Sequence, residues 1–176
     1  ELAVEDALKF DQRSKFNLFN SHCSFILHMC SLNQPPLTVN SEQITIMWNN
    51  KVVVTFQEQQ DHDVLDVVRN GLRHGKGTIK ELGTDFIVHA IIDTIVDHYF
   101  VVLDAFSDLI ANENQRIALK PDHDFQRLFF IRQQIVQFRR LASPVREALN
   151  ELLIHESPFI QNASRIFFQD VSEHSI

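Results

Sequence analysis

No glycine or proline interrupts the 36 residues from Thr84 to Leu119, TDFIVHAIIDTIVDHYFVVLDAFSDLIANENQRIAL. A run of this length with helical apolar spacing predicts one long helix, and the chain is organised around it. At about 1.5 Å per residue the helix spans roughly 54 Å. At about 100° per residue, Asp93, Asp97, Asp104 and Asp108 fall within roughly 60° of one another, opposite Ile91, Ile95, Tyr99, Val102, Leu103 and Phe106. One face is apolar and the other is a carboxylate stripe. Two readings of the stripe stay open: a solvated face on a core helix, or a cation site. Carboxylates roughly 6 Å apart repel by about 3 kcal/mol at an effective dielectric near 20, so a stripe pressed against a second acidic surface needs counterions.

With 176 residues, 44% of them hydrophobic, the chain can bury one core, and no Ser/Gly/Pro-rich linker divides it. The net charge of -7 would repel a phosphate backbone, so nucleic acid is not an expected partner. Cys23 and Cys30 lie in a strand-like stretch, where seven residues at about 3.3 Å each put them roughly 23 Å apart. Two free thiols are expected, as in a reducing compartment. There is no signal peptide, and no run approaches the roughly 18 uninterrupted apolar residues that span a bilayer, so a soluble polypeptide is expected. The chain starts at Glu1 without Met. Its last segment, with Ser157 as N-cap and Pro158 at the first helical position, reads as helix through to Ile176 with no stop signal. Both ends suggest a piece of a longer chain.

From Glu1 to Phe10 the pattern is a short amphipathic helix fragment. Phe16 and Leu18 then alternate, and CSFILHMCSL is apolar on both faces, as in a central strand. After a turn at Pro35-Pro36, EQITIMW and KVVVTFQE form a hairpin about a two-residue turn at Asn49-Asn50. VLDVVRNGLRHGKG is an amphipathic helix ended by Gly75 and Gly77, and Thr78 with Glu81 makes a capping box. The long helix follows Gly83 and ends at Lys120-Pro121, with Asp122 capping the next one. Two long helices joined by so short a turn should be antiparallel neighbours. The second, FQRLFFIRQQIVQFRRL, is apolar nearly all round and should be covered on more than one side, and Pro144 should kink or break it.

Catalytic machinery is not evident. Asp61, His62 and Asp63 are adjacent in a loop, where side chains rarely converge on a metal. The nine His residues show no H-E-x-x-H spacing, and the four glycines fit no phosphate loop. An enzyme is not expected.

The order of Glu5-Asp6, Asp11-Gln12-Arg13 with Lys15, Phe56-Gln57-Glu58, the GKG turn, Asp93 with Asp97-His98-Tyr99-Phe100, Pro144-Val145-Arg146-Glu147, Glu156-Ser157-Pro158 and Asp170-Val171 with His174 resembles the cytoplasmic domain of the CorA family of magnesium and cobalt transport channels. The match runs through nearly the whole chain. It implies an α/β fold: a mixed, partly antiparallel sheet flanked by helices as an α/β/α sandwich, with a long antiparallel helical hairpin. Residues 1–156 would form the regulatory domain, and residues 157–176 the start of a stalk helix leading to the membrane. The family is homopentameric and places this domain on the cytoplasmic side of the inner membrane. By the resemblance, Asp6 faces Asp170 of the next subunit, and Glu5, Asp93 and Asp170 make a second site. A set of carboxylates alone suits a hard cation such as Mg²⁺, with Co²⁺ as the other family cation. Asp97, Asp104 and Asp108 keep the reading of a solvated face. Ser14 and Ser143 depart from the family pattern outside the cation sites. The Gly-Met-Asn pore signature and the membrane helices are not in the given sequence, the only methionines being Met29 and Met47, so the chain as given is not expected to conduct ions. The expected function is Mg²⁺ sensing that controls gating. The alternatives are the equivalent domain of a zinc-transporting relative and a soluble protein-interaction module.

Overall fold

Alternating apolar residues build a sheet, and the helical runs after it cover that sheet. The computed structural model describes residue 9 and residues 12–33, 37–58, 64–74, 83–119 and 125–175. Among them β1 (Lys15–Leu18), β2 (Cys23–Asn33), β3 (Thr38–Trp48) and β4 (Val53–Phe56) lie side by side in the order β1-β2-β3-β4. The fold is α/β, as expected. Every strand pairing among the described residues is antiparallel, so the parallel element of a mixed sheet is not among them.

As its two-faced apolarity predicts, β2 is buried from Cys23 to Cys30. Cys23, Phe25 and Leu27 join Ile44, Ile46 and Trp48 of β3 in the main core, each fully buried large side chain contributing roughly 1.5–3 kcal/mol. The other face buries Ile26, Gln43 and Thr45. There Gln43 accepts the Gln12 N–H at 2.9 Å and donates to the Lys9 carbonyl at 3.0 Å, tying the N-terminal segment to the sheet. Trp48 pairs with Val53 and the Asn49 N–H donates to the Val52 carbonyl at 3.1 Å, so the two residues at the tip of the β3–β4 turn are Asn50-Lys51, one position beyond the expected Asn49-Asn50. Asn49 folds it: its side-chain oxygen accepts the N–H groups of Lys51 and Val52, a local bond of the kind asparagine supplies in turns.

Both cysteines are free and buried. Burial pushes the Cys30 thiol up to about 12 and raises that of Cys23. At pH 8 only ~1 in 10⁴ Cys30 side chains would be thiolate. Iodoacetamide should therefore leave Cys30 unmodified in the native chain and modify both cysteines in denaturant; rapid native labelling of Cys30 would contradict its buried place in β2.

Helix α1 (Asp66–His74) precedes α2 (Thr84–Leu119), whose bounds are those read from the sequence. The apolar face of α2 is buried through Ile91, Ile95, Tyr99, Val102 and Phe106. Tyr99 donates its hydroxyl to the His28 carbonyl of β2. By length and a mean hydropathy of 1.7 over its most apolar stretch α2 could cross a bilayer, yet its apolar face packs on the sheet and on α3 (Gln126–Ile154). The two long helices are antiparallel, as expected. Tyr99 and Phe138 meet edge to face at 5.7 Å, and near the other end the buried Glu113 accepts Arg127 at 2.8 Å and Arg116 at 2.9 Å.

Pro144 does not break α3, which continues through it to Ile154. Proline removes one helical hydrogen bond at a cost of about 3 kcal/mol, but Ala142, Val145, Ala148 and Leu149 on the flanking turns are all buried and hold the helix on the core. The other end of α3 is not covered on several sides: Phe125, Phe129 and Val136 are exposed. Helix α4 begins at Asn162, not Pro158. Ser157 caps a turn instead, its Oγ accepting the Phe159 N–H and its carbonyl the Ile160 N–H. The helix ends at His174, where Ser175 turns extended and donates its hydroxyl to the Ser172 carbonyl. Ile176 and the segments expected to hold Pro35-Pro36, Asp61-His62-Asp63, Thr78, Glu81, the GKG turn and Asp122 lie outside the described residues.

Candidate metal centre

A buried carboxylate sets how α4 lies along α2. Asp85, in the first turn of α2 and 1% exposed, accepts the Phe86 N–H at 3.1 Å and the Gln161 N–H at 2.8 Å, just before α4 begins. Gly83 allows this close approach: its φ is +98°, and a Cβ there would lie 2.9 Å from Gln161 Nε2. The same linker is held by Trp48, which donates to the Phe159 carbonyl, and by Arg165, which donates to the carbonyls of Leu153 and His155 at the end of α3. From this junction α2 and α4 run parallel. Phe86 and Phe167 pack edge to face at 5.2 Å, and the His89 ring lies 5.5 Å from Phe167 and 5.7 Å from Phe168.

The shared register brings Asp93 and Asp97 of α2 beside Asp170 and His174 of α4. Each pair has i,i+4 spacing and so lies on one helix face. His174 Nε2 is 3.7 Å from Asp93 Oδ1 and 3.9 Å from Asp97 Oδ1, beyond hydrogen-bond range, and Nε2 has no hydrogen-bond partner. The ligand atoms of Asp93, Asp97 and His174 all lie within 4.8 Å of one another. Bonds of about 2.0–2.2 Å to one ion separate its ligand atoms by roughly 3–4 Å, so small side-chain movements would let all three reach a common cation. The His174 side chain is 34% exposed and that of Asp97 67%, which leaves the site open to solvent.

Burial raises the Asp93 carboxyl above its ordinary value; the Asp97 and Asp170 carboxylates push the same way, against His89 and His174. Burial also lowers His89, against the pull of Asp93 and Asp170. Because folded Asp93 holds its proton more tightly than unfolded Asp93, its contribution to stability is full below the ordinary 3.8 and is lost as pH rises through the higher folded value. Above that value the ionised carboxylate works against folding.

Of the residues expected from the sequence, Asp93 is one of the three clustered groups, Asp170 acts on Asp93 electrostatically but is not among the three, and Glu5 and Asp6 lie outside the described residues. Asp97, assigned to the solvated face, stands against His174. The clustered ligand atoms thus include an imidazole nitrogen beside one expected carboxylate, Asp93, and one that was not, Asp97. The i,i+4 pairs Asp93/Asp97 and Asp170/His174 were the available signal. Their convergence depends on the register between two helices far apart in the chain, which neither helix encodes alone. Asp104 and Asp108, further along the stripe, are exposed.

Comparison with known proteins agrees with this architecture. The family described as CorA-like Mg2+ transporter protein matches residues 1–175. The "Cobalt/magnesium transport protein CorA" of Thermotoga maritima is 30% identical over 176 residues, covering 99% of this chain and 50% of the relative. The chain therefore spans about half the length of that protein. The soluble domain of CorA from Methanocaldococcus jannaschii superposes with a TM-score of 0.82 at 13% identity, over 97% of this chain and 68% of that one. The ZntB cytoplasmic domain from Vibrio parahaemolyticus gives 0.71 at 13% identity, over 99% and 70%. With residues 1–175 matched by the family model and the CorA soluble-domain fold in place, this chain belongs to the CorA-like Mg²⁺ transporter family.

Proposed function

We propose that this chain is the cytoplasmic regulatory domain of a divalent-cation transport channel and that it senses the cation it helps to transport. The observation that carries the reading is the convergence of Asp93, Asp97 and His174 from two helices, with ligand atoms within 4.8 Å. Carboxylates at that separation repel by about 3 kcal/mol at an effective dielectric near 20, less where water reaches them. A cation removes that repulsion and ties α4 to α2. In the whole protein, on the cytoplasmic side of the inner membrane, Asp170 on α4 would meet Asp6 of the next subunit, and Glu5 would join Asp93 and Asp170. Mg²⁺ or Co²⁺ bound there would favour a closed homopentamer, provided that it binds the closed arrangement more tightly than the open one. The domain's part is regulation, not catalysis.

Thermal unfolding with increasing Mg²⁺ tests this. At about 100 times its dissociation constant the cation should add roughly 2.7 kcal/mol of stability. Asp93→Asn should remove most of that gain and Asp108→Asn should leave it. A gain larger at high protein concentration would support sites shared between subunits. A midpoint unmoved by Mg²⁺ or Co²⁺ at every protein concentration would refute the sensing role, and equal losses in the two variants would reduce the stripe to diffuse electrostatics, with strong sensitivity to ionic strength.

A further inference from the structure

The hairpin of α2 and α3 ends in exposed apolar side chains. Leu119, the last residue of α2, is 82% exposed, and where α3 begins Phe125 is 61% and Phe129 60% exposed. Phe125, Phe129, Arg132 and the exposed Val136 fall within about 60° of one another on the helical wheel, so a stripe of apolar residues with an arginine set among them starts at the tip. Large apolar side chains exposed together mark a contact surface. The packing gives the tip a direction. Since α2 and α4 run parallel and α3 runs back along α2, the C-terminal end of α2 and the start of α3 point the way α4 runs.

The charge at this end differs from that of the whole chain, whose net is -7. From Phe125 to Arg146 the sequence carries five arginines and no carboxylate. At the end of α2, from Asn112 to Leu119, the single carboxylate is Glu113, which is buried and bridged by Arg116 and Arg127. The connection 120–124 lies outside the described residues; by sequence its Lys120 offsets one of Asp122 and Asp124. Asp108, the nearest member of the acidic stripe, stands eleven residues back from Leu119, about 16 Å along the helix. That is beyond the Debye length of about 8 Å at physiological ionic strength.

We propose that the tip of the α2–α3 hairpin docks on an anionic lipid surface, with Phe125 and Phe129 in the headgroup region and Arg132 among the lipid phosphates. The orientation rests on the reading of this chain as the cytoplasmic domain of a membrane transporter: α4 then leads towards the bilayer, and the tip faces the same way. A basic helix end with exposed aromatic side chains has the chemistry of an interfacial anchor. The rings leave water for the acyl boundary, while each arginine covers apolar ground with its stem and reaches phosphate with its planar fork. Two rings and a few arginines bind weakly on their own. In the whole protein a tip tethered beside the membrane has a high effective concentration at the lipid, so a weak contact suffices to steady the hairpin there. An acidic, apolar protein surface would match the same side chains, but the end-on exposure of both helices and the direction of the tip favour a lipid plane.

Co-sedimentation of the 176-residue chain with lipid vesicles tests the docking, in EDTA so that the result does not depend on cation sensing. The chain should bind vesicles of mixed phosphatidylserine and phosphatidylcholine, bind pure phosphatidylcholine at least about fivefold more weakly, and lose affinity as salt is added. Phe125→Ser with Phe129→Ser should weaken binding by about tenfold or more, and Arg132→Gln by about fivefold. Val67→Ser removes a comparably exposed apolar side chain from α1 and should leave binding unchanged. All four residues are exposed, and circular dichroism would verify the fold of each variant. A chain that ignores the anionic vesicles at low salt would overturn the proposal, as would equal losses from the Phe pair and from Val67→Ser, or a Phe pair that binds like the wild type. So would a protein contact that buries the two rings and leaves the vesicles unbound. None of these outcomes alters the Mg²⁺ dependence of unfolding, which tests the sensing role separately.

Discussion

His174→Ala should weaken Co²⁺ binding by about 10- to 100-fold and Mg²⁺ binding by less than about threefold. Imidazole nitrogen is a good ligand for Co²⁺ and Zn²⁺, whereas Mg²⁺ prefers oxygen and keeps much of its water. Asp93→Asn removes a ligand that either cation uses and should weaken both. The pair of variants thus separates the nitrogen contribution from the carboxylate one. Isothermal titration with Mg²⁺, Co²⁺ and Zn²⁺ reads all three affinities directly. Equal losses for Mg²⁺ and Co²⁺ in His174→Ala would mean that His174 positions the carboxylates without touching the ion; no loss for either would remove it from the site. Because sites with nitrogen ligands bind Zn²⁺ more tightly than Mg²⁺ in any case, transport by the full-length protein, not affinity, would separate the zinc-transporting alternative from the magnesium one. The variant also tests the geometry, since Nε2 has no hydrogen bond to lose and its removal should cost little stability in the absence of metal.

Local pattern carried much of the fold. The two-faced apolarity of Cys23 to Cys30 made a central strand, and the absence of Gly and Pro between Thr84 and Leu119 gave α2 its bounds. Local pattern failed where a tertiary contact outweighed a propensity. Pro144 stays inside α3 because the turns on both sides are buried. Ser157 and Pro158, good helix-starting residues, form a turn instead, because the linker is drawn towards Trp48, Asp85 and Cys23; Ser157 Oγ lies 3.4 Å from the Cys23 sulfur. The candidate site divides the same way. Asp93 and Asp170 came from resemblance in the order of motifs, and the carboxylate face of α2 came from the helical wheel. That Asp97 and His174 belong together follows from the parallel alignment of α2 and α4, which is fixed by Asp85 and the Phe86–Phe167 contact rather than by either helix's own pattern.

Asp85→Ala should destabilise the chain by about 3 kcal/mol, the scale of a charge-assisted hydrogen bond together with a lost helix-start contact, and lower the melting point by roughly 10 °C. The carboxylate is 1% exposed and holds two backbone N–H groups, one at the start of each helix that forms the candidate metal centre. Its loss leaves the Gln161 N–H without that acceptor and frees the entry of α4. Asp85→Asn keeps one acceptor oxygen and should cost about half as much. Gly83→Ala should destabilise by about 1–3 kcal/mol by a different route, since the added Cβ must tolerate φ of +98° and push the Gln161 amide from 2.9 Å. If the latch sets the register of α4 on α2, both substitutions should also weaken Co²⁺ binding several-fold in protein that is still folded, although neither residue is a candidate ligand. A double-mutant cycle decides the point. With His174 replaced by Ala, the loss of Co²⁺ affinity from Asp85→Ala should shrink, because the latch acts by presenting that imidazole to Asp93 and Asp97. Additive losses would make Asp85 a stability residue alone, and the convergence of the two helices on a cation would then rest on their packed faces instead of on the junction at Gln161.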